Sequence, residues 1–369
     1  MEDNRFLDNL FFSAVLILLS IGIVMVFSSS SLIAVKRFDD GYYFLKKQAL
    51  FAFAGIILLL IFMRIDYRFW KGKVRVYSIL VITLILLILV LIPGIGVQVG
   101  HARRWFRIFG FSFQPSELAK LGLIVFLAYS LERKAKKIKS FSIGFLPNIA
   151  VAALFSFFVL LQPDFGTAGM MALVVFVLLF AAGVRAFYLI GTIVMAGIVS
   201  CLLIMRSEYR LKRVLTFLGY LSDPLGASYQ IKQSLLAFGS GGLWGAGLGN
   251  GRQKLFYLPE PHTDFILSVI GEELGLIGVF AILILFFLLL NSGIMLSLKA
   301  RDLFGTYLGL GITSLIGIEA AINMGVVMGL LPTKGSTLPF VSYGGTSLVI
   351  KLMSVGIMLN IASHGRKDL

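Results

Sequence analysis

The chain has 369 residues, of which 58% are hydrophobic and 14% charged, and its mean hydropathy is +0.95. These values exclude an ordinary water-soluble domain, in which apolar residues make up about half of the chain. The formal net charge of +15 does not indicate a nucleic-acid partner. The basic residues lie mostly in loops between apolar runs, where membrane topology and anionic lipid headgroups explain them.

The sequence predicts an all-α polytopic membrane protein that forms one domain over residues 1–369. Its apolar runs are long enough to cross a bilayer. The first has an acidic start and no small-residue cleavage signature, which favours a retained span over a removed signal peptide. Ten spans fit the pattern, at about 10–33, 45–63, 75–92, 114–131, 143–161, 168–183, 187–205, 264–290, 304–330 and 343–362.

The distribution of basic residues predicts the orientation of the chain. The loops after spans two and four hold five lysines or arginines each, which places both loops in the cytoplasm. Alternation then places both termini in the cytoplasm and every odd-to-even connection outside. One large extracytoplasmic loop, 206–263, joins spans seven and eight. The single cysteine, Cys201, excludes an internal disulfide.

The segment Leu258–Leu276, LPEPHTDFILSVIGEELGL, carries acids at the mouth of span eight and inside it. Ionisable groups at such positions are energetically costly, and they indicate either a functional site or a buried pairing with another polar group. Asp264 lies at the mouth, while Glu272 and Glu273 lie within the apolar run. Asp264 or Thr263 could instead cap the helix, and the two roles can coexist.

The connection after span three places basic residues outside, against the usual rule. Arg103, Arg104 and Arg107 are interleaved with Trp105 and Phe106, and guanidinium groups recognise phosphate oxygens with two parallel bonds. Contact with lipid headgroups is the competing interpretation. Glu117 and Lys120 follow one turn apart on the next span, where they form either a structural ion pair or a substrate contact.

Three further segments contain polar residues or chain breaks within or between the predicted spans. Asp164, in QPDFGT, is predicted to lie in a turn or to cap span six. Glu319 and Asn323 share one face of span nine, and a Glu319–Lys351 ion pair is a hypothesis that the sequence cannot test. The prolines and glycines of Leu331–Ser347 predict a broken, partly re-entrant segment.

The glycine-rich run GSGGLWGAGLGNG in the large loop follows no predicted strand. It therefore does not match a phosphate-binding fingerprint, and it indicates close backbone packing or mobility. The chain also has no nucleotide loop, HExxH or CxxC motif. The remaining candidate feature is a set of acids beside arginines at the level of the membrane. This combination suits glycosyl transfer from a polyprenyl diphosphate, and it would equally suit a lipid flippase.

The chain resembles the SEDS family (shape, elongation, division and sporulation) over nearly its whole length. The resemblance rests on RRWFRIFGFSFQPSELAK, QPDFGT, GSGGLWGAGLGNGRQKLFYLPEPHTDF, GEELG and NMGVVMGLLPTKGSTLPFVSYGGTS. The pieces GLGNGRQKLFYLPE and LPTKG look more like the division member of the family than the elongation member. Two departures are Ser336, where an aliphatic residue is usual, and Phe256, where some division members have an acid.

The resemblance implies a peptidoglycan glycosyltransferase that polymerises lipid II in the bacterial cytoplasmic membrane. Asp264 of the HTDF motif would be its catalytic acid, and Glu117, Lys120 and Asp164 would belong to the polar core near the site. Arg103 and Arg104 match an ARRW motif, although their phosphate role follows from chemistry alone. His262, Lys334 and Ser342 lie in the quoted motifs and are predicted to contact substrate.

The predicted reaction removes a proton from the GlcNAc 4-hydroxyl of lipid II, with Asp264 as general base. That hydroxyl attacks the anomeric MurNAc carbon of a lipid-linked chain, and undecaprenyl diphosphate leaves with inversion. No residue cluster demands a metal or another cofactor, although a divalent cation could accompany the diphosphate. A lipid II flippase and a non-catalytic scaffold are the alternatives.

The expected protein partner is a class B penicillin-binding protein, the transpeptidase of the pair. Other divisome or elongasome membrane proteins are further expected partners. The substrates would be lipid II and an undecaprenyl diphosphate-linked glycan.

Overall fold

The computed structural model describes residues 2–99, 102–108, 110–219, 227–255 and 257–365, which leaves Phe256 outside the described residues. A helix lies at each of the ten predicted spans. These ten helices are α1 Glu2–Phe38, α2 Tyr43–Arg64, α3 Lys73–Leu89, α4 Pro115–Arg133, α5 Leu146–Leu161, α6 Phe165–Ala181, α7 Ala186–Met205, α10 Ile266–Leu298, α11 Leu303–Val327 and α12 Gly345–Gly365. The large loop contributes α8 Glu208–Phe217 and α9 Ala227–Gly241.

Short helical turns lie between several of these helices. Tyr67–Lys71 and Ala135–Lys137 are 3-10 turns, and Phe141–Phe145 is a π-helical turn before α5. Seven helical segments of the described chain are long and apolar enough to cross a membrane, and one of them, Phe141–Leu161, joins the π-helical turn to α5. The other three predicted spans are α3 and α6, which have 17 residues each, and α4, which carries buried charges. The chain is therefore a multi-pass membrane protein.

The fold is mostly helical, as predicted, and a small antiparallel sheet that the sequence did not predict is added to it. Its strands β1 Val97–Val99, β2 Ala102–Ile108 and β3 Phe111–Phe113 lie between α3 and α4 in the order β1-β2-β3. Gly110 turns the chain between β2 and β3 with a φ of 81°, a conformation that favours glycine. The segment ARRWFRI lacks the strict alternation of polar and apolar residues that marks a half-buried strand, so the sequence indicated a loop here.

The centre of the bundle is made by α4, α11 and α12, whose residues are buried over most of their length. Small residues allow these helices to approach their neighbours closely, as is usual between membrane helices. Gly356 of α12 packs against the backbone of Leu59, and Gly311 of α11 packs against Ile124. By contrast, α7 buries only Leu189, so it lies at the periphery with apolar side chains exposed on most sides.

Helix α10 is interrupted at Gly275, where φ is 68° and ψ is −166°. The glycine-rich run of the large loop packs on this break, since Leu276 N donates to Gly242 O (2.9 Å) and Ala246 N donates to Glu272 O (2.9 Å). Added Cβ atoms would meet neighbouring backbone here; one on Gly245 would lie 2.2 Å from Glu273 O. Of the two interpretations of these glycines, the structure supports close backbone packing.

The two acids of the GEELG motif serve this packing. The Glu272 carboxylate accepts hydrogen bonds from the backbone amides of Arg252 (2.7 Å) and Gln253. The Glu273 carboxylate accepts from Lys254 Nζ (2.6 Å) and Ser28 Oγ (2.6 Å). Both acids are buried, so of the two roles that the sequence allowed for them, a site or a buried pairing, the structure supports the buried pairing.

Candidate functional site

One cavity of about 590 Å³ opens among the connections that join odd to even spans. The loop before α10, the β2–β3 turn and the segment between α11 and α12 all contribute to its wall. These elements meet at one end of the bundle, as the alternating topology predicts. The charged side chains of the wall are Lys47, Arg104, Glu117, Lys120, Asp164, Glu260, Asp264 and Glu319, and its aromatic side chains are Phe51, Trp105, Phe111 and Tyr343.

Asp264 lies in a turn held by buried polar side chains. Asn323 Nδ2 donates to the backbone oxygen of Asp264 (2.9 Å) and to that of Ser336 (2.5 Å). Ser342 Oγ donates to Thr263 O (2.6 Å) and accepts from Leu338 N (2.8 Å). The helix begins at Ile266 without a side-chain cap, so the capping interpretation of Asp264 and Thr263 is wrong. The Asp264 side chain is thus available to the cavity.

The environment of Asp264 favours its neutral form. Burial, with a smaller contribution from Glu260, raises the pKa of its carboxyl group to about 7, against the opposing effect of Arg213 and Lys334. A carboxyl group with a pKa near neutrality is suited to exchange protons at physiological pH, because its proton affinity then matches the task.

The segment between α11 and α12 is non-helical, as the sequence predicts, and its residues 338–342 are buried by protein. It packs against α1 so closely that a Cβ on Gly22 would lie 2.5 Å from Phe340 O. Gly335 faces the catalytic candidate, since a Cβ there would lie 3.1 Å from Asp264 Oδ2. Such backbone within a membrane protein is stable only where protein surrounds it or where it lines a cavity, and both conditions hold here.

Lys334 lies across Gly166 at the start of α6. A Cβ on Gly166 would lie 1.6 Å from Lys334 Cε and 2.5 Å from its Nζ, so only glycine accommodates the lysine in this position. The ammonium group is buried without a hydrogen-bond partner among the described residues. Burial lowers the pKa of Lys334 to about 8, and the largest opposing influence is Asp164. An unsatisfied ammonium beside the cavity indicates a place for an anion.

Four charged side chains form a neutral cluster at the floor of the cavity. Lys120 pairs with Glu117 (2.8 Å) and with Glu319. Lys351 pairs with Glu319 (2.9 Å) and lies 3.7 Å from Glu117, which confirms the hypothesis of a Glu319–Lys351 ion pair. The cluster joins α4, α11 and α12, and its two positive and two negative charges cancel.

Arg104 and Asp164 meet on the opposite wall. Arg104 donates to Gln162 O (2.9 Å) and Pro163 O (2.6 Å), and its Nη1 lies 3.8 Å from Asp164 Oδ2. The Asp164 carboxylate also accepts from Thr167 N (3.1 Å) and Thr167 Oγ1 (2.9 Å), so the predicted cap of span six is confirmed. The strand β2 is thereby attached to the α5–α6 turn.

The structure brings five of the nine predicted site residues together on the cavity wall: Asp264, Arg104, Glu117, Lys120 and Asp164. Lys334 lies directly behind the wall. The other three lie outside it: Arg103 bonds to Gln98 across the sheet, Ser342 ties the backbone of Thr263, and His262 packs on Phe44 with ring centroids 4.4 Å apart. Burial lowers the pKa of His262 to about 4, so its imidazole is neutral at pH 7.

Several cavity residues were absent from the predicted site. Lys47, Trp105 and Phe111 line the cavity but lie in segments whose approach to Asp264 depends on the tertiary fold. Glu260 also lines the cavity, and it lies only four residues before Asp264 in the same loop. Glu319 carried a signal, namely its shared helix face with Asn323. Among the described residues, no group of three or more His, Cys, Asp or Glu side chains is arranged to hold a metal ion.

Comparisons with known proteins agree with this architecture. The family model of FtsW, RodA and SpoVE, described as cell cycle proteins, matches residues 8–367. The chain is 51% identical to the probable peptidoglycan glycosyltransferase FtsW of Trichlorobacter lovleyi, over 95% of this chain and 91% of that protein. It is 46% identical to the stage V sporulation protein E of Bacillus subtilis, over 95% of each chain.

Solved structures give the same result. A chain of the structure reported as "Structural coordination of polymerization and crosslinking by a peptidoglycan synthase complex" superposes with a TM-score of 0.79 at 28% identity, covering 97% of this chain and 98% of that one. The rod shape determining protein RodA of Thermus thermophilus gives 0.68 at 28% identity, covering 97% of both chains. The chain therefore belongs to the FtsW, RodA and SpoVE family of cell cycle proteins.

Proposed function

We propose that the protein is a peptidoglycan glycosyltransferase that polymerises lipid II, with Asp264 as its general base. One observation carries the assignment: a half-buried carboxyl group with a pKa of about 7 opens into a cavity that also holds cations and aromatic rings. Aromatic rings pack against the apolar faces of sugars, and cations offset the charge of a diphosphate. The names of the FtsW relatives, which are described as probable peptidoglycan glycosyltransferases, support the same activity.

The proposed chemistry is one displacement. Asp264 removes the proton of the acceptor 4-hydroxyl as its oxygen forms a bond to the anomeric carbon of the donor. The bond between that carbon and the diphosphate oxygen breaks, the electron pair leaves with the diphosphate, and the anomeric configuration inverts. The leaving group needs charge stabilisation more than it needs a proton. One base with nearby cations is therefore sufficient, unlike the paired carboxylates of glycoside hydrolysis.

The cations differ in how free they are to meet the diphosphate. Lys120 is already paired with two glutamates, and Arg104 bonds to two backbone oxygens. Lys334 has a buried ammonium without a hydrogen-bond partner among the described residues, and Lys47 lines the cavity mouth with Nζ bonded to Tyr43 Oη. We assign stabilisation of the leaving charge mainly to Lys334, with Lys47 and Arg104 at the edge of the site.

The proposal includes the orientation of the protein in the membrane and its protein partner. The protein spans the bacterial cytoplasmic membrane with both termini in the cytoplasm, so that the cavity faces outward, where lipid II is polymerised. A class B penicillin-binding protein is the proposed partner. Its support is the similarity to a chain from a peptidoglycan synthase complex that coordinates polymerisation and crosslinking. A role in division rather than elongation is supported by the names of the FtsW relatives.

The test is Asp264→Asn in purified full-length protein, assayed with its partner and fluorescent lipid II. We expect glycan polymerisation to fall by about 10²–10⁴-fold, the usual contribution of a general base, while lipid II binding is retained. Asp39→Asn is the matched control, because Asp39 is an exposed acid at the same end of the bundle, and its positive φ of 56° suits asparagine. Glycan strands formed by Asp264→Asn at the control rate would disprove the assignment.

A further inference from the structure

A second pocket lies on the other side of the segment that follows α11. It has a volume of about 420 Å³ and lies between α8, α9 and the start of that segment. Thr333 contributes to this pocket, whereas Gly335 lines the main cavity, so only Lys334 lies between the two spaces along the chain. The lining residues are Arg213, Thr216, Phe217, Ser228, Ile231, Lys232, Leu235, Leu236, Gly329 and Thr333.

The lining of this pocket combines two cations with an apolar wall, and the described part of the chain contributes no acid to it. Arg213 reaches over the pocket from α8 and donates from Nη1 to Thr333 O (2.8 Å). Lys232 is exposed on α9. On the same helix, Leu235 and Leu236 are 48% and 47% exposed, so they present apolar surface beside the two cations. Cations beside uncovered apolar surface match a ligand with an anionic head and a hydrocarbon tail.

The surrounding helices place this pocket beside lipid. α7 ends immediately before α8, and it exposes apolar side chains on nearly all sides, as a lipid-facing span does. α8 then carries Leu211 and Val214 on one face and a run of basic residues on the other, the pattern of a helix that lies in the membrane interface. A lipid-linked ligand could therefore enter the pocket from the bilayer.

The pocket and the main cavity flank the same carboxyl group. Arg213, from the pocket, and Lys334, from behind the cavity wall, both oppose the rise in the pKa of Asp264, so both cations lie within electrostatic range of it. A reaction between two lipid-linked chains brings two polyprenyl diphosphates to one base. Two anions held in one space would repel each other, and separate cationic pockets remove that cost.

We propose that the pocket formed by Arg213 and Lys232 holds the diphosphate of one of the two polyprenyl-linked substrates, while the main cavity holds the other. This inference rests on the proposed polymerase function, because it assigns the second substrate of the same reaction. The guanidinium of Arg213 would bind phosphate oxygens, Lys232 would add a second charge, and the leucines of α9 would contact the first isoprene units.

Native mass spectrometry of the full-length protein tests the proposal, with undecaprenyl diphosphate as the probe and phosphatidylglycerol as the competitor. We expect two probe molecules on the wild-type protein and one on the double variant Arg213→Gln/Lys232→Gln. Each lost cation should weaken the second binding step on the order of tenfold, as for a charge-assisted hydrogen bond. Lys212→Gln is the control, since it removes a neighbouring positive charge of α8 that does not line the pocket.

Two further variants keep the test decisive. Leu235→Trp fills the apolar wall without removing charge and should also abolish the second binding step, even if the double variant fails to fold. Asp264→Asn should still bind two probe molecules, so failure of the catalytic assignment would be seen separately, in its polymerisation rate. Two bound probes on both pocket variants would overturn the proposal. Displacement of the second probe by equimolar phosphatidylglycerol would also overturn it, by identifying an ordinary phospholipid site.

Discussion

The pH dependence of polymerisation is the sharpest consequence of the environment of Asp264. A group with a pKa of about 7 is ionised to about one-tenth at pH 6, half at pH 7 and nine-tenths at pH 8. A general base must be ionised to accept a proton, so the rate should rise about tenfold between pH 6 and pH 8. An aspartate with its ordinary pKa would be fully ionised over this range and would give a flat profile.

Two variants should move this acid limb in opposite directions. Glu260→Gln removes a negative neighbour, so the pKa of Asp264 should fall and the limb should shift to lower pH. Because the Glu260 side chain is 53% exposed, solvent screening should keep that shift below about one pH unit. Lys334→Gln removes a buried positive neighbour, so the pKa of Asp264 should rise and the limb should shift to higher pH.

The assay is the initial rate of glycan synthesis at saturating fluorescent lipid II between pH 5.5 and 8.5. The transpeptidase partner is held constant, and protein integrity is checked at each pH. Asp39→Asn should reproduce the wild-type profile, because that exposed acid lies outside the cavity wall. A flat profile in the wild type, or limbs that shift in the same direction in the two variants, would refute the electrostatic reasoning.

Two further predictions concern the supporting residues. Lys351→Met leaves two buried glutamates with one lysine and should destabilise the protein by about 3 kcal/mol. The measurement is the melting temperature in detergent, which should fall. An unchanged melting temperature would contradict the pairing. Gly166→Ala should displace Lys334 and lower the rate of polymerisation at unchanged folded yield. Gly169→Ala in the same helix, where an added Cβ meets open space, is the control and should have no effect. Equal rates for the two variants would argue against a role for Lys334.

The membrane fold follows from the sequence because bilayer physics leaves few choices. A stretch such as Phe280–Leu290 can only be a helix in lipid, and helices lie at all ten predicted positions. The basic loops also set the alternation that gathers Asp164, Glu117 and Asp264 at one end. The pairing of charged residues is harder to predict from the sequence. The ion pair of Glu319 with Lys351 depends on how α11 and α12 pack together, and the spacing of residues within one helix carries no information on that packing.

Two features of the site region could not be predicted from the sequence, for physical reasons. Polar and apolar residues do not alternate along β2, so the sequence carried no clear strand signal, and it predicted Arg103 for the site together with Arg104. Neighbours in a strand point to opposite faces, and of these two arginines Arg104 alone reaches the cavity. Ser342 matched a motif, but its hydroxyl bonds to backbone within the protein, a role that no single-sequence pattern separates from substrate contact.

The lysines around the cavity have different roles, according to whether neighbouring carboxylates balance their charge. In the floor cluster, Lys120 and Lys351 are balanced by Glu117 and Glu319, so the four residues add almost no net field and mainly fix α4, α11 and α12 against one another. An anion arriving in the cavity is therefore attracted chiefly by cations outside that cluster. Lys334 is one of these, and the next residue along the chain, Gly335, lies against the Asp264 carboxylate. The sequence places the base and this lysine in separate motifs, and Asn323 brings them together by bonding the backbone of both segments.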